Sequence, residues 1–354
     1  MHRKLLFSMI LTWVIAQPVY SDYKIETVAE GLDFPWSVAF LPNGDLLVVE
    51  LAGNLRRLSG GTVSAPIANI PPVFRMSQGG LFDILLDPDF SSNQQIYLSY
   101  AEGNIDSNAT TVVRAKLVED ALEDVTEIFS ARPRKYGPVH YGGRMAWSAG
   151  GNLLLTTGDG FDFREKAQDL TQHFGKTIQI QIANHIVAPY PEAPLVLSYG
   201  HRNPQGLAVA KDGTIYQHEH GPSGGDEINI IEPGKNYGWP IITYGMDYNG
   251  AYVSPFTERP GLAQPIHVWD PSIAPSGLIV YEGAMFPEWH GNLFVGALVD
   301  QEVRRLEMDG TTVTNEIVAF DEINARIRDI REAPDGSIYV LTDGNPGTVL
   351  RVTR

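Results

Sequence analysis

A chain of 354 residues, 43% apolar and 19% charged, has the composition of a globular protein with ample core. The formal net charge of −16 argues against nucleic acid and an anionic membrane surface as partners, so any anionic ligand needs a local cluster of Arg or Lys. With no cysteine, disulfides, thiolate metal sites and a cysteine nucleophile are excluded.

The chain opens on a basic His2-Arg3-Lys4, followed over residues 5–16 by an apolar run too short to span a bilayer comfortably. This predicts an export signal over residues 1–21, with cleavage after Ala16 or Ser21. Its loss removes two basic residues and no acids, bringing the formal charge to −18. The expectation is an exported protein without stable membrane insertion, in the periplasm if the source is Gram-negative, with residues 22–354 as one domain.

A turn followed by a β-rich run then recurs along the chain. It appears at Pro42-Asn43-Gly44, Gly150-Gly151-Asn152, Lys211-Asp212-Gly213, His290-Gly291-Asn292 and Pro334-Asp335-Gly336, with a degenerate copy at Ser91-Ser92-Asn93. Asn-Gly, Asp-Gly and Gly-Gly supply the positive φ that hairpin turns require. Each turn has a β-rich run before it (36–40, 81–86, 144–147, 206–210, 277–281, 328–331) and a further one after its own strand. Residues 168–174 are the one candidate for a helical turn. Six copies of a unit of at least three strands predict an all-β, six-bladed β-propeller.

Counting back from the turns places Asp33, Gln78, His140 and Arg202 at equal depth at the start of their inner strands, with Arg326 and Arg328 on one face of the last. These side chains should converge on the mouth of the central channel. Three arginines there suit a poly-anion, and His140 is a general-base candidate. The pairs Gly79-Gly80 and Gly142-Gly143 leave room for something flat against the backbone. A strand end running into a loop, His218-Glu219-His220-Gly221-Pro222-Ser223-Gly224-Gly225-Asp226-Glu227, offers carboxylates and accessible carbonyls to an oxygen-seeking cation such as calcium. His220 is a candidate for the channel lining, whereas His173, His185, His267 and His290 read as ordinary surface or turn residues.

These motifs, above all Gly200-His201-Arg202-Asn203-Pro204-Gln205-Gly206 and the block 218–239, resemble the soluble pyrroloquinoline-quinone-dependent glucose and aldose sugar dehydrogenases over nearly the whole mature chain. The resemblance implies that pyrroloquinoline quinone (PQQ) and calcium (Ca2+) are cofactors and that an aldose is oxidised to its lactone. His140 would be the base, Asp159 would orient it and Arg202 would polarise the quinone carbonyl. Gln78, Asn203, Tyr248, Arg326 and Arg328 would hold the cofactor. Gly221 and Pro222 would offer carbonyls to a cofactor-bound calcium, and Glu227 with the Tyr237 carbonyl would hold a second calcium. Its partners would be the sugar and an electron acceptor (a quinone, a dye or an electron-transfer protein), and the protein a monomer or weak homodimer.

One departure stands out: Gly296-Ala297-Leu298 is followed by Val299, where the family commonly has a lysine that pairs with the cofactor. Arg304 or a bound cation is a candidate substitute. Two other classes also fit such a propeller: a calcium-dependent lactone or ester hydrolase, and a non-catalytic sugar-binding module. The three-arginine funnel discriminates, because a neutral lactone does not need it.

Overall fold

The computed structural model describes residues 23–183, 186–187 and 196–354; the expected export signal and His185 lie outside the described residues. Six four-stranded antiparallel sheets follow one another along the chain. Their inner strands are Pro35–Phe40, Leu81–Leu86, Gly142–Trp147, Pro204–Val209, Pro275–Val280 and Ile327–Glu332. Each inner strand touches the next, and the sixth touches the first, so the sheets close as the blades of a propeller. The expected unit of at least three strands is one of four. In the sixth blade the outer strand comes from the start of the described chain: Lys24–Leu32 pairs antiparallel with Gly347–Thr353.

The turn residues do what their chemistry requires. Gly44, Gly151, Gly213, Gly291 and Gly336 all have φ between 75° and 92°, a region closed to most side chains. In the degenerate copy, Gln94 takes the left-handed conformation (φ 56°) and ends a one-turn helix, Phe90–Asn93. The one expected helical turn is a 3-10 segment at Arg164–Gln168, so it ends where it was expected to begin.

The second strands are buried on both faces, because period-2 alternation sends successive side chains to opposite neighbours. Leu153 and Leu155 join the core shared with the second blade, beside Tyr97 and Val112. Leu154 points the other way, into the core shared with the fourth blade, beside Leu207 and Ile231. One apolar cluster fills each of the six gaps between blades.

Charge closes the axis. Asp329 accepts from Arg144 Nη1 at 2.8 Å and from Arg331 Nε at 2.8 Å, and Asp83 accepts from Arg331 Nη2 at 2.7 Å. Arg144 also donates to the Gln205 and Arg328 carbonyls, and its guanidinium lies 3.9 Å from the Trp36 ring centroid. This plug leaves the cavity at the mouth of the channel with a built floor.

Candidate active site

Strand starts at one face of the disc supply the site. The cavity there, about 350 Å3, is lined by Gln78, Asn203, His220, Arg326 and Arg328, among others. A smaller recess of about 30 Å3 brings together His140, Asp159, Arg202, Pro222, Trp239 and Tyr248. A hydrogen bond ties the two regions: the Gln78 amide oxygen accepts from His140 N at 2.8 Å, while within the larger cavity Asn203 Oδ1 accepts from Gly142 N at 3.3 Å.

His140 adopts φ 53° immediately before the inner strand of its blade, an unfavourable angle for a residue with a Cβ. Its Nδ1 lies 2.7 Å from Asp159 Oδ1. A carboxylate only accepts, so Nδ1 carries the proton and Nε2 keeps a free lone pair. Asp159 is fixed in turn by Phe161 N on Oδ1 and Trp239 Nε1 on Oδ2, each at 2.8 Å. Burial pushes the His140 imidazole below its ordinary value; Asp159 opposes that shift, and the charges of Arg202 and Lys135 add to it. Burial alone would raise the Asp159 carboxyl, but the hydrogen bond and charge of His140, with Arg202, hold it below the usual range. The pair is therefore a neutral imidazole held by an ionised carboxylate.

Arg202 is positioned by Glu219, which accepts from the Arg202 backbone N–H and from His201 Nδ1, the latter at 2.8 Å. Its guanidinium donates to the Gly221 carbonyl at 2.6 Å, the His220 carbonyl at 3.1 Å and the Tyr248 hydroxyl at 3.1 Å. Tyr248 is 64% exposed and stands at the rim, its ring near-parallel to that of Phe161. Arg326 and Arg328 share Asp343, each with an N···O distance of 3.0 Å.

Several expectations need correction. Asp33 does not line the cavity; its carboxylate takes Asn345 Nδ2 at 2.8 Å. The glycine pairs do not make room for a guest. A Cβ on Gly80 would lie 2.2 Å from the Leu51 carbonyl, and one on Gly143 2.7 Å from the Phe82 ring, so these glycines admit neighbouring chain. Arg304 cannot stand in at the cavity, being paired with Asp300, Glu302 and Glu316. Instead Arg326 reaches the carbonyl of Leu298, directly beside Val299, at 2.9 Å. His173 is buried, not superficial. His267 pairs with Glu316 at 3.1 Å.

In the fourth blade Asp226 does not present free oxygens: they accept from Gly221 N, Ser272 Oγ and Ala274 N. Glu227 lies opposite Glu219 on paired strands, and burial together with Glu219 pushes its carboxyl up to about 8. Asn229, which donates to Glu227 at 2.9 Å, has a buried Oδ1 with no hydrogen-bond partner. Two crowded carboxylates beside an orphaned amide oxygen fit a hard cation. Tyr237 borders this region by stacking on His201, at 4.8 Å between ring centroids. Among the described residues, no group of three or more His, Asp or Glu side chains could hold a metal ion, so a cation here would also need backbone oxygens.

Sequence reasoning missed Trp239, Phe161 and Lys135. Trp239 lies within the block already singled out, and Phe161 is two residues from Asp159, so proximity to motifs was a usable signal for both. Nothing in the sequence marks Lys135.

A buried histidine–carboxylate pair beside a guanidinium-lined cavity, at one mouth of a six-bladed propeller, defines an enzyme-type site suited to an anionic group. Residues 32–351 match the Glucose / Sorbosone dehydrogenase family, and the chain belongs to it. It is 38% identical to an aldose sugar dehydrogenase of Escherichia coli (strain K12), covering 93% of this chain and 92% of that protein. The crystal structure of the soluble aldose sugar dehydrogenase from Escherichia coli in its apo-form superposes with a TM-score of 0.87 at 36% identity, covering 94% of this chain and 99% of that one. The PQQ-bound form of an aldose sugar dehydrogenase from Streptomyces coelicolor gives 0.75 at 27% identity, covering 94% and 98%.

Proposed function

We propose that this protein oxidises aldose sugars to lactones with PQQ as cofactor and calcium as its companion ion. The observation that carries the reading is the pairing of His140 and Asp159 at 2.7 Å, beside Arg202 and a cavity holding Arg326 and Arg328. When bound, PQQ supplies the acceptor for a hydride from the anomeric carbon. The protein does the rest. His140 Nε2 takes the anomeric hydroxyl proton, and Asp159 keeps the imidazole in the tautomer that can accept it. Arg202 places positive charge where an oxygen gains negative charge. Gln78, Asn203, Tyr248, Arg326 and Arg328 hold the cofactor's edge and carboxylates. The carbonyls of Gly221 and Pro222 would be offered to a cofactor-bound calcium, and Glu227 with the Tyr237 carbonyl would hold a second one. Three arginines at the mouth favour this reading over a hydrolase of neutral lactones.

The same reading places the protein in the periplasm, its leader removed, passing electrons to a quinone or an electron-transfer protein. Among the described residues no helix is long and apolar enough to cross a membrane. Adding PQQ and calcium to purified protein, then assaying aldoses with an artificial electron acceptor, tests the reading. Turnover that requires both additions is expected. Absence of turnover with every aldose, despite bound PQQ, overturns it.

A further inference from the structure

Behind the catalytic pair lies a buried cation that the reaction scheme does not use. Lys135 is 5% exposed, on the segment leading into the third blade. Its backbone is fixed by a reciprocal pair of hydrogen bonds with Asn108, each 2.8 Å. Its ammonium donates to the Gly137 carbonyl at 2.7 Å and lies 3.9 Å from the centroid of the Tyr141 ring. Tyr141 directly follows His140. On the other side, the Lys135 stem runs against Gly160, which directly follows Asp159: a Cβ there would lie 2.8 Å from Lys135 Cδ. The lysine thus touches the chain neighbours of both members of the pair. It also shares with His140 a pocket of about 10 Å3, the size of one water molecule.

No hydrogen bond joins Lys135 to either carboxylate oxygen of Asp159, which already have the three donors His140, Phe161 and Trp239. Its influence is therefore electrostatic, between buried groups where screening is weak. We infer that Lys135 is a positioning residue for the base: its buried charge adds to burial in keeping the His140 imidazole unprotonated, the form that can accept the substrate proton. Facing Lys135 are Asp159 and Asp162 from the loop after the second strand of the third blade, the Tyr141 ring, and His173 across the small pocket. Facing His140 are Asp159, Arg202, Lys135 and, from the fourth blade, His220.

Burial, opposed by Asp159 and Asp162, brings the Lys135 ammonium down to about 7. Its charge is thus fully present on the acid side, where an ordinary histidine would be taking up a proton. Removing it also leaves Asp159 less neutralised, and both effects raise the affinity of His140 for a proton. The catalytic meaning rests on His140 being the base, so the test has one arm that does not depend on turnover.

That arm follows the His140 ring resonance by NMR during a pH titration of the full-length wild-type chain and of Lys135→Met. The other arm is the pH profile of kcat/KM for the PQQ- and calcium-loaded enzymes. Lys135→Met should move both the His140 midpoint and the acid limb of the profile upward by about one pH unit, with the high-pH plateau changed less than about threefold. In the wild type, the His140 resonance should show a second inflection where Lys135 titrates. An unmoved midpoint in a folded variant overturns the inference. If Lys135→Met does not fold, the wild-type curve decides: two inflections support the coupling, and a single one removes it. If the wild type turns over no aldose while the His140 midpoint still shifts in Lys135→Met, the proposed reaction fails and the coupling stands.

Discussion

On the proposed reading, His140 concentrates the chemistry of the site in one strained residue. Its φ of 53° is retained because Gln78 holds its N–H and Asp159 holds its ring, each from outside its own strand. Such strain persists where the surroundings over-determine a conformation. Replacing His140 by Ala removes the proton acceptor but none of the arginines at the cavity. Turnover should fall by at least about a hundredfold, with PQQ affinity nearly unchanged. Single-turnover kinetics and a PQQ titration check both halves, and retained turnover would take His140 out of the mechanism. The sign of the pH dependence follows from the depressed imidazole. Only neutral His140 accepts a proton, so kcat/KM falls as pH drops through its folded-state pKa. Because that value lies below the ordinary 6.5, the acid limb should lie lower than for an exposed histidine. Val299, 57% exposed on the cavity wall, contributes no charge there, whereas Arg326 reaches the carbonyl of the preceding Leu298.

The blades show which elements local chemistry makes legible. Inner strands and the two that follow were readable because each first hairpin turns on a small polar or glycine pair, and positive φ constrains sequence strongly. Outer strands were not. Thr62–Pro66 has no buried residue, and Lys24–Leu32 buries only Ala29 and Leu32, so neither shows the alternation that marks a half-buried strand. Register counting brought Gln78, His140 and Arg202 to one mouth because inner strands begin at equal depth. It failed at Asp33, whose carboxylate is taken by Asn345 and whose N–H is held by Glu50. His218, read at a strand end beside the expected cation loop, lies fully buried on the second strand of the fourth blade. A Cβ on Gly206 would come within 2.1 Å of its Nε2, and neither ring nitrogen has a hydrogen bond of normal geometry. Burial, with the charges of His220 and Arg144, brings its pKa down to about 3. The unfolded chain takes a proton near 6.5 and the folded chain does not, so the stability this group contributes is present above 6.5 and lost as pH falls toward 3. Between pH 6.5 and 4 the loss should be about 3 kcal/mol. Thermal unfolding across that range should show it, and the slope should flatten in His218→Gln.

At the scale of the whole molecule, six apolar interfaces hold neighbours together, but the axis is where every blade meets the others. Trp36, Asp83, Arg144, Gln205, Ser276 and Asp329 come from six different inner strands, and the two aspartates and two arginines form a buried, alternating network. The network also reaches the active-site mouth, since the Arg328 carbonyl accepts from Arg144 and Ser276 while the Arg328 side chain lines the cavity. Burying charges is costly, so this plug is not a large net stabiliser; its consequence appears when it is broken. Asp329→Ala would leave Arg144 and Arg331 with Asp83 as the only acid of the network. The loss should be about 3–5 kcal/mol, seen as a lower denaturation midpoint. It should occur in one transition, because a closed ring has no blade free to unfold alone. Adding Arg331→Met removes one stranded cation and should recover part of that loss, the coupling being read from the double-mutant cycle. The folded Asp329→Ala enzyme should also bind PQQ more weakly, since Arg144 loses the partner that holds it under Arg328. A loss below about 1 kcal/mol would mean that the apolar gaps between blades, not the charged axis, set how the ring holds its site.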